Sequence, residues 1–248
     1  MAARTSLDAV ALRAVMAAFA DALRAHRSSI NRLNVYPVPD GDTGTNMALT
    51  LESVIADLEG VDDTMPEVCR ALAHGSLMGA RGNSGVILSQ IIRGLSDAFC
   101  DQPAIDGAVL ARGLDAAAEA AYGAVLRPVE GTILTVARAA ATAAVDAANA
   151  GGSLLAVCEA AHAAASDALK RTPELLSVLR DAGVVDAGGA GFVLFCDALL
   201  HVVDGRAVPE PEVLDEADAA PVRAFAGDEP SGVAELRYEV MFFLHTTD

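Results

Sequence analysis

Along the first 205 residues, apolar side chains recur with the period of a helix, not that of a strand. Leu12, Val15, Met16, Phe19 and Leu23 follow one another at steps of three and four, which puts them on one stripe of a helix. Similar patterns fill segments at about 6–27, 45–59, 65–79, 84–99, 104–125, 132–149, 153–171 and 188–203, eight in all. Glycine-rich breaks separate many of them, at Gly60, Gly82 to Gly85, Gly131, Gly151-Gly152 and Gly183 to Gly191. Strand-like alternation is missing until Leu236 to Leu244. The pattern predicts an all-α bundle over 1–205. Residues 206–234, rich in Pro, Asp, Glu and Ala, read as an acidic linker. Residues 235–248 carry one strand, and a single strand cannot bury itself. They are expected to open a second domain that this sequence does not complete.

Composition changes this picture in three ways. The chain is 53% hydrophobic but only 4% aromatic, with no Trp, so its core is built from Ala, Leu and Val, side chains that let helices approach closely. No uninterrupted apolar run reaches the roughly 18 residues that span a bilayer. The N-terminus also lacks the basic-then-apolar order of a signal peptide, so a cytoplasmic protein is expected. Cys69, Cys100, Cys158 and Cys196 are far apart and form no C-x-x-C pair, so free buried thiols are expected in place of disulfides or a zinc site.

A net charge of −17 argues against nucleic acid as a partner, because phosphate backbones need basic surfaces. Much of that charge is local: from Pro209 onward ten acids face only Arg223 and Arg237, a balance of −8. The body is milder, but it still has few cations for a phosphate ligand. A metal ion would have to supply the missing positive charge.

The stretch Asn34-Val35-Tyr36-Pro37-Val38-Pro39-Asp40-Gly41-Asp42-Thr43-Gly44-Thr45-Asn46 carries the chemistry best suited to that role. Pro37 and Pro39 stiffen the approach, and Gly41 and Gly44 let the backbone turn. Two carboxylates one residue apart at the mouth of a helix suit a hard cation shared with a phosphate, which makes magnesium held with a nucleotide the first reading. The same residues are equally readable as a plain turn followed by a helix cap. A calcium loop starting at Asp40 is excluded, since its twelfth position would be Leu51 and Glu52 comes one residue too late.

A second cluster, Gly79-Ala80-Arg81-Gly82-Asn83-Ser84-Gly85, precedes Val86-Ile87-Leu88. Loop glycines with Asn and Ser opening a helix can cradle phosphate in backbone N–H groups, although simple capping accounts for them as well. The P-loop ending and the Rossmann spacing are both absent. A third break, Arg127 to Thr132, places Gly131 and Thr132 as an ordinary cap. At the fourth, Val184 to Gly191, Asp186 either accepts from a ribose hydroxyl or caps the last helix. In an up-and-down bundle alternate connections lie at the same end, so these four breaks would share one rim. His74 precedes Gly75 and is a catalytic candidate or a structural helix-end residue, whereas His26, His162, His201 and His245 show no ligand spacing.

Four motifs in this order resemble the nucleotide-binding domain shared by dihydroxyacetone kinases and the ATP-binding subunit of bacterial fatty acid kinase, over about residues 6–205. The blocks Asn34 to Met47, Met78 to Gln90 and Pro128 to Val136 are similar to the fatty acid kinase branch in particular. The resemblance implies an eight-helix antiparallel up-and-down barrel with Mg-nucleotide at one rim. It implies Asp40 and Asp42 as metal ligands, with Asn34 where dihydroxyacetone kinases carry a third carboxylate. Thr43, Thr45 and Asn46 match the phosphate-contacting turn, Asn83, Ser84 and Gly85 the second phosphate loop, and Asp186 with Gly188 the ribose–adenine end. Gly131 and Thr132 belong to the matched third motif, and Ala190 stands where members of the family often carry Lys.

The implied activity is Mg²⁺-dependent phosphoryl transfer from ATP to a fatty acid, giving an acyl phosphate and ADP. The fatty acid would be presented by a separate lipid-carrier protein. Two alternatives stay open: a dihydroxyacetone phosphotransferase subunit that keeps ADP bound, and a nucleotide-binding regulatory module without turnover. No transmembrane segment is expected, and pairing into a homodimer is left open.

Overall fold

The computed structural model describes residues 3–211, which contain nine helices. These are α1 (Ala9–Leu33), α2 (Thr43–Leu58), α3 (Met65–Gly79), α4 (Gly82–Phe99), α5 (Gly107–Gly123), α6 (Ile133–Asn149), α7 (Leu154–Leu175), α8 (Ser177–Ala182) and α9 (Ala187–Asp204). Eight of them answer to the eight periodic segments. The six-residue α8 is an addition, a single turn and a half inside the last glycine-rich break. The expected strand at 235–248 and most of the expected linker lie outside the described residues.

Two helices outrun their predicted ends for identifiable reasons. α1 continues six residues past 27 because Ile30, seven residues beyond Leu23, extends the same buried stripe. α7 runs through Pro173, whose ring nitrogen cannot donate to the Leu169 carbonyl. The hydroxyl of Thr172, wholly buried, donates to that carbonyl instead, at 2.7 Å. The helix therefore tolerates a proline that sequence alone would place past its end.

Each long helix packs on the next, and α9 packs back on α1, so the eight long helices close into a ring. Short connections make neighbours antiparallel. The ring is filled mainly by small side chains: Ala117, Ala118 and Ala121 of α5 and Ala137, Ala140, Ala141 and Ala144 of α6 are all buried. Gly94 shows how close the helices come, since a Cβ there would stand 2.7 Å from the Ala117 Cα of α5. The few aromatics gather on one side, with Phe195 between Phe19 and Phe192 at ring distances of 5.5 and 5.8 Å. α9 alone among the described helices is long and apolar enough to cross a membrane, but 72% of its 18 residues are buried here, as expected of a core helix.

The end of the barrel where the chain enters is tied by Leu7 and Ile105, which exchange backbone hydrogen bonds, and by Arg4 N–H donating to the Val203 carbonyl. After α9 the chain is held to the body: Arg206 pairs with Asp204 and Glu159, and the Pro209 carbonyl meets the His26 ring at 2.9 Å. The start of the expected linker is thus anchored on α1 and α7.

Candidate functional site

The connections α1–α2, α3–α4, α5–α6 and α7–α9 lie at the same rim, opposite the chain's entry, and the structure brings their residues together. Asn31 of α1 bonds Thr45 of α2. Gly82, with φ of +57°, sits against Asn46, where a Cβ would come within 2.3 Å of Nδ2. A Cβ at Gly131 would meet the Thr172 carbonyl at 2.9 Å, and one at Gly188 would meet Ile133 at 3.2 Å. Gly191 of α9 faces the Met47 methyl of α2. The four breaks therefore form one continuous rim.

The acidic turn is built from α1. Asn34, only 3% exposed, donates through Nδ2 to the Val38 carbonyl at 2.6 Å, and its Oδ1 accepts both the N–H and the hydroxyl of Thr43. Both ends of the loop are thereby stapled, and Asp40 and Asp42 are left exposed between them. Asp42 is the residue before α2 but makes no side-chain cap, so its carboxylate is not occupied by the helix. Asp40 has its pKa raised, first by partial burial and then by the neighbouring charge of Asp42. Two crowded carboxylates are a hard oxygen donor set whose mutual repulsion a cation relieves. Among the described residues no group of three His, Cys, Asp or Glu converges, so the protein alone offers an incomplete shell.

Asn34 is a loop clamp in this structure, its carboxamide oxygen turned to Thr43 and not to the two acids. Thr43 is likewise turned inward and is 7% exposed. Thr45 and Asn46 are half-buried at the mouth of α2. Asn31 was not singled out by the sequence. Its signal was faint: a polar residue at the end of an amphipathic helix, three before Asn34.

The second loop opens α4 differently. Arg81 precedes the helix and supplies no side-chain oxygen to cap it, its guanidinium reaching back to the Ala80 carbonyl at 3.0 Å. The first N–H groups of a helix find no carbonyl within it, so the Gly82 and Ser84 end of α4 attracts anions beside Asn46. Gly85 packs over Thr50, where a Cβ would come 2.6 Å from the hydroxyl.

At the third and fourth loops Thr132 and Asp186 cap the helices that follow. Thr132 precedes α6 and its hydroxyl faces the Leu134 N–H, while the Gly131 N–H donates to Thr135 Oγ1 at 2.8 Å. Glu130 joins this loop to its neighbours, accepting from Tyr122 at 3.0 Å and Thr135 at 2.5 Å. Asp186, 6% exposed, caps α9 by accepting from the Gly189 N–H at 2.6 Å, and its own N–H donates to Thr172. Thr172 thus repairs the proline in α7 and holds the start of α9. His74 pairs with Asp57 at 2.5 Å on the outer wall, His162 with Asp197 at 3.0 Å, and His201 with the Arg206 carbonyl; none enters the rim, and His245 lies outside the described residues.

Burial pushes the Asp186 carboxyl up to about 6, against the partial help of the Gly189 and Ile133 N–H groups. Its folded pKa lies above the ordinary 3.8, so the folded state holds the extra proton between those values. Stability from this group is full below the lower value, falls as pH rises toward 6, and is level above it. Asp186→Asn keeps an oxygen for Gly189 and removes the charge. Urea unfolding from pH 4 to 7 should show the variant gaining on the wild type by roughly 2–3 kcal/mol, with no further gain above the folded pKa. A difference that does not vary with pH would contradict a buried, titrating Asp186.

Comparison with known proteins agrees with this architecture. The model of the DAK2 domain matches residues 37–201. The chain is 44% identical over 214 residues to protein YloV of Bacillus subtilis, covering 86% of this chain and 39% of that one. It is also 44% identical over 180 residues to an uncharacterised Staphylococcus aureus protein, covering 72% of this chain and 33% of that one. It therefore spans well under half the length of these relatives. In fold it is similar to the dihydroxyacetone kinase of C. freundii, with a TM-score of 0.55 at 18% identity over 81% of this chain and 36% of that one. The same kinase in complex with AMP-PNP and Mg²⁺ gives 0.51 at 19% identity, with the same coverage. With two thirds of its length matched and the helical ring in place, this chain belongs to the DAK2 domain family.

Proposed function

We propose that the rim binds a magnesium–nucleotide complex and that the domain transfers the γ-phosphoryl group of ATP to the carboxylate of a fatty acid presented by a separate carrier protein. The observation that carries the nucleotide reading is the meeting of an exposed Asp40–Asp42 pair with the glycine-rich start of α4, which takes no side-chain cap from Arg81, across the Asn46–Gly82 contact. Acids and anion-attracting N–H groups side by side fit a ligand that is itself a cation joined to phosphates. The complex of C. freundii dihydroxyacetone kinase with AMP-PNP and Mg²⁺ supports the same assignment through the shared fold.

Asp40 and Asp42 would hold Mg²⁺, which when bound neutralises charge on the β- and γ-phosphates. Asn83, Ser84 and Gly85 hold phosphate at the start of α4, Thr45 and Asn46 close the turn from α2, and Gly131, Thr132, Asp186 and Gly188 border the nucleoside end through backbone and shape. Phosphoryl transfer needs positioning and charge stabilisation more than a protein nucleophile, which fits a rim built without a histidine among the described residues. The acceptor comes from the resemblance of the longer sequence blocks to the fatty acid kinase branch, and we place the reaction in the cytoplasm, where ATP is supplied.

Ser84→Ala should weaken Mg-nucleotide binding about tenfold, the effect of one hydrogen bond to a charged group. Ser84→Pro should be worse, since it also removes an N–H from the first turn of α4. Calorimetry showing both variants unimpaired would move the phosphates elsewhere. Transfer to the fatty acid is tested by following acyl phosphate formation with Mg-ATP and a loaded lipid carrier. Free exchange of ADP with acyl phosphate formed supports the fatty acid kinase. ADP retained through gel filtration, with phosphoryl transfer to dihydroxyacetone, would replace it by the phosphotransferase. Binding without any transfer would leave a regulatory module.

A further inference from the structure

Asn31 and Asn34 leave the two threonines of the acidic turn with opposite hydrogen-bonding duties. A backbone N–H can only donate, and that fixes which way each asparagine amide points. The Asn31 Oδ1 accepts the Thr45 N–H at 3.0 Å, so it is Nδ2 that faces the Thr45 hydroxyl, at 2.9 Å. An amide NH₂ donates, so Thr45 Oγ1 is the acceptor in that contact and its own hydrogen is left over. Among the described residues the Thr45 hydroxyl donates to no protein group, and the residue is half-buried at the rim.

Thr43 is the reverse case. The Asn34 Oδ1 accepts the Thr43 N–H at 3.1 Å, and its Nδ2 is taken by the Val38 carbonyl at 2.6 Å. The Thr43 hydroxyl can then only donate to Oδ1, as its contact with that atom requires. Its hydrogen is directed into the protein.

We propose that Asn31 is a positioning residue that sets the Thr45 hydroxyl as an obligatory donor to a phosphate oxygen of the bound nucleotide, whereas the Thr43 hydroxyl, directed inward, makes no contact with it. The proposal rests on the nucleotide reading of the rim. Its logic is one of polarity: beside Asp40 and Asp42 a hydroxyl that showed its lone pairs would repel an anion, and Asn31 prevents this by filling a lone pair itself.

The Asn31→Asp change inverts the arrangement with little change of shape. The carboxylate still accepts the Thr45 N–H, so α2 keeps its cap, but it now also accepts the Thr45 hydroxyl and takes the hydrogen away from the ligand. Mg-ADP affinity, measured by calorimetry, should fall roughly tenfold in Asn31→Asp while the melting temperature stays within about 2 °C of wild type. A merely structural asparagine would lower both together.

The added charge is controlled by a double-mutant cycle with Thr45→Val. If Asn31 acts through the hydroxyl, Asn31→Asp should cost less than about twofold in affinity once Thr45→Val has removed that hydroxyl, and Thr45→Ser should restore the full tenfold sensitivity. Thr43→Val, which loosens the acidic turn by removing the hydroxyl bond to Asn34, should lower stability and affinity together, and Asn31→Asp should still cost its full tenfold in that background. An equal loss from Asn31→Asp with and without the Thr45 hydroxyl would assign the effect to charge alone and overturn the proposal. So would unchanged affinity in Asn31→Asp. If Asp40→Asn abolishes Mg-ADP binding while Asn31→Asp does nothing, only this proposal fails; if neither change matters, the nucleotide reading of the rim fails with it.

Discussion

Asp40→Asn and Asp42→Asn are each expected to abolish Mg²⁺-dependent nucleotide binding while leaving the helical ring intact. Both side chains are exposed, and neither supports the fold: Asp42 makes no side-chain cap, and the loop that carries them is held by Asn34. Losing either carboxylate halves the donor set that the chain offers a cation, and no third His, Cys, Asp or Glu is grouped with them among the described residues. Removing one of two protein ligands should lower affinity by a hundredfold or more, on the order of 3 kcal/mol. Calorimetry with Mg-ADP and far-UV circular dichroism on the same samples separate the two effects. Unchanged affinity in both variants would remove the metal from this turn.

The second large effect should come from Gly44, in the first turn of α2. It is needed for close approach, since a Cβ would stand 2.4 Å from the Arg27 carbonyl of α1 and 3.0 Å from the Asn31 side chain. The nearest obstacle is backbone, which cannot rotate aside. Gly44→Ala should therefore push α2 away from α1 and strain the hydrogen bonds of Asn31 to Thr45 and of Asn34 to Thr43 together. Overpacking and lost hydrogen bonds combine to about 3 kcal/mol or more of destabilisation. Mg-nucleotide affinity should fall with it, because the acidic turn is positioned through those same bonds. A urea midpoint that matches wild type would show that the α1–α2 contact yields more easily than its geometry implies.

The parts of this fold set by local pattern were legible in the chain. Eight helices follow from the spacing of apolar residues, and the sharing of one rim by alternate breaks follows from antiparallel packing. What the sequence did not reveal depends on side-chain hydrogen bonds, which have no period. Asn31 fell beyond the expected end of the first helix at 27, because the buried Ile30 that carries the helix onward is flanked by polar neighbours. The segment expected at 153–171 stops short of Pro173, because the Thr172 hydroxyl that replaces its missing bond is seen only in three dimensions. Thr43 and Thr45 are alike in sequence and differ only in which asparagine reaches them. Asp186 was open between ribose contact and helix cap, and its bond to the Gly189 N–H gives it the second duty.

The domain also carries its acids and its phosphate loop on different helices. Asp40 and Asp42 precede α2, Ser84 opens α4, and the two are joined where Gly82 rests on Asn46. Moving α3, which links them, should alter nucleotide affinity without touching a ligand. The contact of Gly79 with Ser53, where a Cβ would come within 2.2 Å, shows how tightly α3 is held against α2 at this end.

The most direct measurement is anomalous diffraction from crystals grown with Mn²⁺ and ADP. Our account predicts a manganese peak at coordination distance from the carboxylates of Asp40 and Asp42, bridging to the ADP phosphates, with those phosphates against the start of α4 at Ser84. An ordered nucleotide elsewhere on the barrel, or one at the rim with no metal between it and the two acids, would contradict it.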